Sequence, residues 1–311
     1  MAAREEPAQN WPALPLVEWR DTYATLHMWT QIVGKICLAT TPLVNHFWNI
    51  AFKVTPRGLT TPVMYHDGRT FTMTFDLADH QLTLDEADNR TGSVPLAPRT
   101  VSEFYGEVMN LLGRNGIDVR IWTTPVEIPD PIPFEQDTTH HAYDPATADA
   151  FRQVLLAITP VFERFRGRFI GKCSPVQFFW GSFDLAVTRF SGRRAPARPG
   201  ADSITREAYS HEVISHGFWP GSGAVQEPAF YAYAAPEPSG FKTAAVGPSA
   251  AFYSADFSEY VLPYAAVRAA ESPAQELTRF LETTYRAGAD MAAWDRSALE
   301  RGEADHERPA V

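Results

Sequence analysis

Two stretches of this chain, 132 residues apart, carry one apolar pattern. In the first, Leu16, Trp19, Tyr23, Leu26, Thr30 and Val33 follow at spacings of three and four, which places them on one face of a helix. Adding 132 to each number gives Ala148, Phe151, Leu155, Ile158, Phe162 and Phe165. The same offset carries His46-Phe47-Trp48 onto Phe178-Phe179-Trp180, and each triplet opens a segment that reads as a strand. The pattern predicts an internal duplication, with two halves built on one plan.

Later elements match at an offset of 172. Thr100 to Glu103 spells a capping box, in which a hydroxyl accepts from an amide three residues on and the acid reaches back; Ser272 to Gln275 predicts the same device. Each helix then meets a glycine, Gly116 or Gly288, and two residues later an aspartate, Asp118 or Asp290. The change of offset predicts about 40 extra residues in the second half. Asp144-Pro145 supplies a cap and a first-turn proline for the helix carrying Phe151.

Between the helices, alternation and turn residues predict strands at 47–54, 60–65, 70–77 and 81–85, with an Asp67-Gly68 turn, and at 176–190, 212–219, 229–233 and 260–267. The expected fold is α+β. A first half covers 11–124, a Pro-rich connector 125–144 and a second half 145–295, with the two sheets facing each other and a groove between them. Residues 1–10 and 296–311 are polar and read as frayed tails.

Charge narrows the partners. The chain carries 27 Lys and Arg against 37 Asp and Glu, for a net charge of −10, which opposes a phosphate backbone and predicts no nucleic-acid partner. No apolar run approaches a membrane span, and the acidic start shows no secretory pattern. Cys37 and Cys173 have neither disulfide-framework nor metal-ligand spacing, which fits a reducing, cytoplasmic setting. Composition leaves the oligomeric state open.

No phosphate-loop or nucleophile-elbow pattern is present, so candidate chemistry rests on individual residues. His46, on a strand, would share an apolar face with Trp48, Ile50, Phe52 and Val54, where an imidazole needs a partner. Phe178, Trp180, Ser182 and Asp184 would form the matching face, on which Asp184 breaks an apolar pattern. His27, Gln31 and Lys35 stand one turn apart, a row able to hold an anion or equally a solvated stripe. His211 and His216 are five apart, one too many for the zinc-protease motif, but Glu212 and His216 share a face and could begin a divalent-metal site.

The run from Trp19 to Trp48 and the segment Ser174 to Asp184 (SPVQFFWGSFD) resemble an uncharacterised bacterial family labelled "domain of unknown function 5996". The resemblance spans roughly Trp11 to Trp294 and brings no catalytic residue, because the family has no established activity.

The residues themselves predict an enzyme-like protein handling a small polar molecule between the two halves. Trp48, Trp180 and Trp219 would line the pocket with His27, Gln31 and Lys35. His46 or His216 would carry a proton and Asp184 or Glu212 would act as carboxylate. The rival expectations are an aromatic-lined receptor for a sugar or other metabolite, or a protein-interaction scaffold.

Overall fold

Helix α1, Leu16–Thr40, lies at the centre of the computed structural model, which describes residues 11–87, 91–221 and 226–302. Its two apolar stripes bury it on two sides, and the third is buried as well: His27 and Lys35 are each 5 % exposed and Gln31 is fully covered. Helix α2 (Val101–Arg114) packs on one flank and α3 (Pro145–Gly167) on the other. Both begin as predicted. Thr100 and Glu103 close a reciprocal capping box, and the Asp144 carboxylate accepts from the Ala146 amide.

The first antiparallel sheet contains β1 (Lys53–Thr55), β2 (Gly58–Thr60), β3 (Met64–His66), β4 (Arg69–Asp76), β5 (Gln81–Glu86) and β6 (Thr91–Pro95), in the order β1-β2-β4-β5-β6 with β3 also paired to β4. Asp67 and Gly68 turn the β3–β4 hairpin with φ of 46° and 77°, the left-handed pair that a tight hairpin needs. Phe71, Met73, Phe75, Leu82 and Leu84 alternate inward and are buried.

After α3 the second sheet runs through β7 (Gln177–Phe179), β8 (Asp184–Arg194), β9 (His211–Trp219), β10 (Ala229–Ala235), β11 (Phe252–Ser254) and β12 (Glu259–Pro263), in the order β7-β8-β9-β10-β12-β11. A short helix α4 (Ser203–Ala208) interrupts the β8–β9 connection. Helices α5 (Tyr264–Ala269), α6 (Pro273–Met291) and α7 (Arg296–Leu299) end the described chain. With α6 packed on α3, the helices lie side by side as α2, α1, α3, α6 over the sheets.

The two sheets do not face each other across a groove. The sheets meet edge to edge, where Phe52 beside β1 and Phe178 in β7 exchange two backbone hydrogen bonds of 2.8 Å. Behind this join Trp19 stacks on Phe151, centroids 5.1 Å apart, and Phe151 stacks on Phe183 at 5.4 Å. Unpaired backbone edges and aromatic rings are both satisfied by direct contact, so the seam fills.

Other expectations are also corrected. Residues 47–52 are not a strand: the Asn49 side chain accepts from the Val44 amide and donates to Thr41, and this local bonding favours a turn. Trp180 to Phe183 turn a hairpin, so Trp180, Ser182 and Asp184 do not share a strand face. The segment 260–267 is a strand that becomes α5. Ser272 precedes α6 without a side-chain cap. Past Arg296 the chain forms α7, and Leu299 accepts from the Ile170 amide at 2.8 Å, which ties this stretch down. Residues 1–10 and 303–311 lie outside the described residues. Among the described residues no helix is long and apolar enough to cross a membrane.

Candidate functional site

Strand alternation gives the second sheet two unlike faces. One packs on α3 and α6. The other carries Asp184, Thr188 and Phe190 from β8, Val213, Ser215, Gly217 and Trp219 from β9, Tyr231, Tyr233 and Ala235 from β10, and Glu259 from β12. Gly217 lies opposite Tyr231, and a Cβ there would come within 2.2 Å of the tyrosine ring. The missing side chain lets Tyr231 lie across β9 and donate its hydroxyl to Asp184, two strands away; Ser182 donates to the other carboxylate oxygen.

Two further carboxyls join Asp184. Glu259 is pushed up to about 7, first by burial and then by the charge of Asp184. Glu127, in the Pro-rich connector, is raised by burial and by Asp184 and Asp202; Asp184 itself is raised by burial, against the pull of its two hydroxyl donors. Among the described residues none of the three has an ion-pair partner. A cavity of about 320 Å³ opens beside Glu259, lined by Arg198, Tyr209, Tyr233, Glu237, Phe257 and Glu259 itself. The Tyr209 and Tyr233 hydroxyls are 3.1 Å apart, and the Arg198 guanidinium lies 4.1 Å over the Tyr209 ring. A cation is therefore already seated on one ring of the wall.

The α1 stripe builds this face instead of lining it. Gln31 exchanges two hydrogen bonds with Val126, 2.7 and 2.9 Å, which fixes the connector. The next residue, Glu127, adopts φ 57° and lays its carboxylate against Gly181, where a Cβ would meet Oε1 at 2.7 Å. The His27 Nε2–H donates to the Gly181 carbonyl at 2.9 Å; burial lowers this imidazole to about 4, which keeps it neutral. Lys35 is lowered to about 8 by burial and faces the Trp122 ring at 4.5 Å. Left-handed backbone at Glu127, Phe183 and Ser258 places each acid or the residue before it in a strained conformation, held by the surrounding packing.

His46 belongs to a neighbouring group. It sits on a 3-10 turn, Asn45–Phe47, with φ 58°. Its Nδ1–H donates to the Glu207 carbonyl at 3.0 Å, and its Nε2 accepts from Lys172 Nζ at 2.6 Å. Burial and then the Lys172 charge hold it below the usual imidazole range. Trp48 and Phe190 flank the ring at 5.3 and 4.6 Å. Trp48 also packs with Tyr209 and Tyr233 on the small cluster of Phe190, Val213 and Ala235, so this group borders the cavity wall.

The remaining predicted residues lie apart. His216 is on the helix-facing side, fully buried, with its Nε2 3.0 Å from Thr284 Oγ1. Because the Thr284 hydroxyl donates to the Phe280 carbonyl, His216 Nε2–H is the donor and Nδ1 is left bare, consistent with a pKa well below the usual value from burial and the nearby Arg189. Glu212 binds Arg193, which also donates to the Ala292 and Ala293 carbonyls after α6. Four residues along a strand separate Glu212 from His216 by about 13 Å, so one ion cannot bridge them. Among the described residues no three His, Cys, Asp or Glu side chains are grouped to hold a metal. Trp180 is core: its indole covers Gly34 of α1 and donates to the Ile50 carbonyl at 3.0 Å. Trp219 meets Phe257, a cavity residue, edge-on at 6.1 Å.

Sequence reasoning missed Tyr209, Tyr231, Tyr233, Glu127, Glu259 and Lys172. The Tyr-Ala-Tyr alternation of 231–233 inside an expected strand was the available signal, since it puts both rings on one face. The model of a family of unknown function, DUF5996, matches residues 11–301. No curated protein and no solved structure matches the chain.

Proposed function

The protein belongs to the DUF5996 family, which the match covers over nearly the whole chain, and we propose that it binds a small molecule bearing a protonated amine in the cavity beside Tyr209, Tyr233 and Glu259. The observation that carries this reading is the pairing of ring faces with carboxyls that have no cationic partner among the described residues. Burial makes Glu259, Asp184 and Glu127 costly to ionise together. An ammonium group entering the cavity would repay that cost, while the tyrosine faces attract it through their quadrupoles. Glu259, near neutrality at about 7, is the group suited to exchange a proton with the ligand, and Asp184 acts on it through charge. In this reading Glu259 takes the proton-carrying part that the sequence assigned to His46 or His216.

The test is a calorimetric panel of small primary and methylated amines, each beside its neutral alcohol analogue and a set of monosaccharides. Amines should bind, and Glu259→Gln should remove their advantage over the alcohols. Equal binding of alcohols or sugars, unaffected by Glu259→Gln, would instead support the sugar receptor.

The same proposal takes residues 11–124 and 145–295 as copies of one unit. Support comes from the helix, meander, helix order of each, and from Trp19 and Phe151, 132 residues apart, meeting face to face as equivalent positions do across a two-fold axis. It also keeps the chain in the cytoplasm, away from nucleic acid. Supporting this are two thiols, Cys37 and Cys173, raised by burial to about 12 and about 11, and the net charge of −10.

A further inference from the structure

Only four lysines occur in the chain, Lys35, Lys53, Lys172 and Lys242, against twenty-three arginines. Lys172 stands out among them by its partner. Its Nζ lies 2.6 Å from His46 Nε2, and that imidazole nitrogen can only accept, because the Nδ1–H is committed to the Glu207 carbonyl. The lysine is half-buried, 4.8 Å over Phe190 and 5.6 Å over Trp48, and among the described residues no carboxylate stands within ion-pair distance of it. The titratable groups around the pair are Glu207 from α4, whose carboxylate accepts from the His46 amide, and His211 from β9, 6.0 Å from the His46 ring. The imidazole is delivered by two successive left-handed residues, His46 and Phe47 at φ 58° and 57°, a costly backbone for bulky side chains.

We propose that Lys172 is a nucleophilic amine, with His46 as its proton acceptor, that forms an imine with a small aldehyde or ketone. An ammonium must lose a proton before it can attack, and a neutral imidazole already hydrogen-bonded to it is placed to take that proton. The freed Nζ lone pair attacks the carbonyl carbon while the C=O π pair moves to oxygen. The imidazolium protonates that oxygen, the neutral His46 Nε2 then takes the next Nζ proton, and a carbinolamine results. That proton passes from His46 to the carbinolamine hydroxyl, which departs as water and leaves the C=N bond, so ammonium plus carbonyl becomes protonated imine plus water with no change of oxidation state. Burial lowers the Lys172 pKa, which favours the uncharged amine. This site borders the tyrosine-lined cavity without contributing His46 or Lys172 to its lining, and the inference does not depend on the amine ligand proposed there.

Substoichiometric pyridoxal followed by borohydride, with peptide mapping of the intact wild-type chain, tests it. Lys53 and Lys242 are exposed and serve as internal references. Lys172 should label several-fold faster than either at neutral pH, and its labelling should rise at lower pH than theirs. His46→Gln should bring Lys172 down to the reference rate, and Lys172→Arg should lose the dominant adduct with an unchanged melt. Labelling of Lys172 no faster than Lys53 and Lys242 in the wild type would overturn the proposal, and this comparison needs no variant to fold. An undiminished Lys172 excess in a folded His46→Gln chain would overturn the role of His46.

Discussion

Replacing Gly34 by alanine should destabilise the protein, although glycine-to-alanine inside a helix ordinarily stabilises by about 1 kcal/mol. Gly34 lies in the buried middle of α1, and a Cβ there would sit 2.2 Å from two atoms of the Trp180 indole and 2.4 Å from Nε1. The ring must retreat by more than about 1 Å to reach an ordinary contact, yet it is 4 % exposed and tied to the Ile50 carbonyl by a 3.0 Å hydrogen bond. Forcing a methyl into such packing costs about 1–3 kcal/mol. Breaking the indole bond leaves a buried donor unsatisfied, for about 1–3 kcal/mol more. Set against the helix gain, the net loss is about 3 kcal/mol. The control is Gly106→Ala in α2, where nothing lies within 4 Å of the new methyl and stability should rise by up to about 1 kcal/mol. Urea denaturation of both variants measures the two signs directly. A Gly34→Ala chain as stable as Gly106→Ala would refute the claim that Trp180 is seated on the bare backbone of α1. The consequence reaches the candidate site, because Trp180 opens the turn that delivers Asp184.

Gln31→Ala removes both hydrogen bonds to Val126 and should cost about 2 kcal/mol while exposing the 125–133 connector to faster limited proteolysis, read by urea melts and peptide mapping. The acid cluster predicts an unusual pH dependence. Glu259 moves from 4.5 to about 7 on folding, so the native state holds a proton that the unfolded chain releases, and this contribution to stability is lost as pH rises from about 4.5 to about 7. Glu259→Gln should therefore flatten the fall in melting temperature across that window; an unchanged pH profile would show that Glu259 is not desolvated.

Much of the framework was legible in the residues. The apolar faces of α1 and α3, the capping box at Thr100, the Asp67-Gly68 turn and strands β4, β5 and β9 all depend on neighbours a few positions away, where propensity and periodicity act. His46 shows where that reasoning ends. Its alternation with Trp48 and Ile50 imitated a strand, but Asn49 offered the backbone a local partner and a turn formed. Gln31 looked like a ligand-binding amide because nothing in a linear pattern reveals that Val126 occupies both of its hydrogen-bonding ends.

By itself, then, the order of residues determined that the chain is α+β and which faces of its helices are apolar. Only the tertiary structure decided that the sheets join through Phe52 and Phe178, that Tyr231 crosses Gly217 to reach Asp184, and that Lys172 meets His46. The physical reason is distance along the chain. Local hydrogen bonds and burial periodicity are set by near neighbours, whereas edge pairing, close approach over a glycine and the mutual perturbation of buried charges depend on residues brought together from far apart, and no local pattern encodes which ones meet.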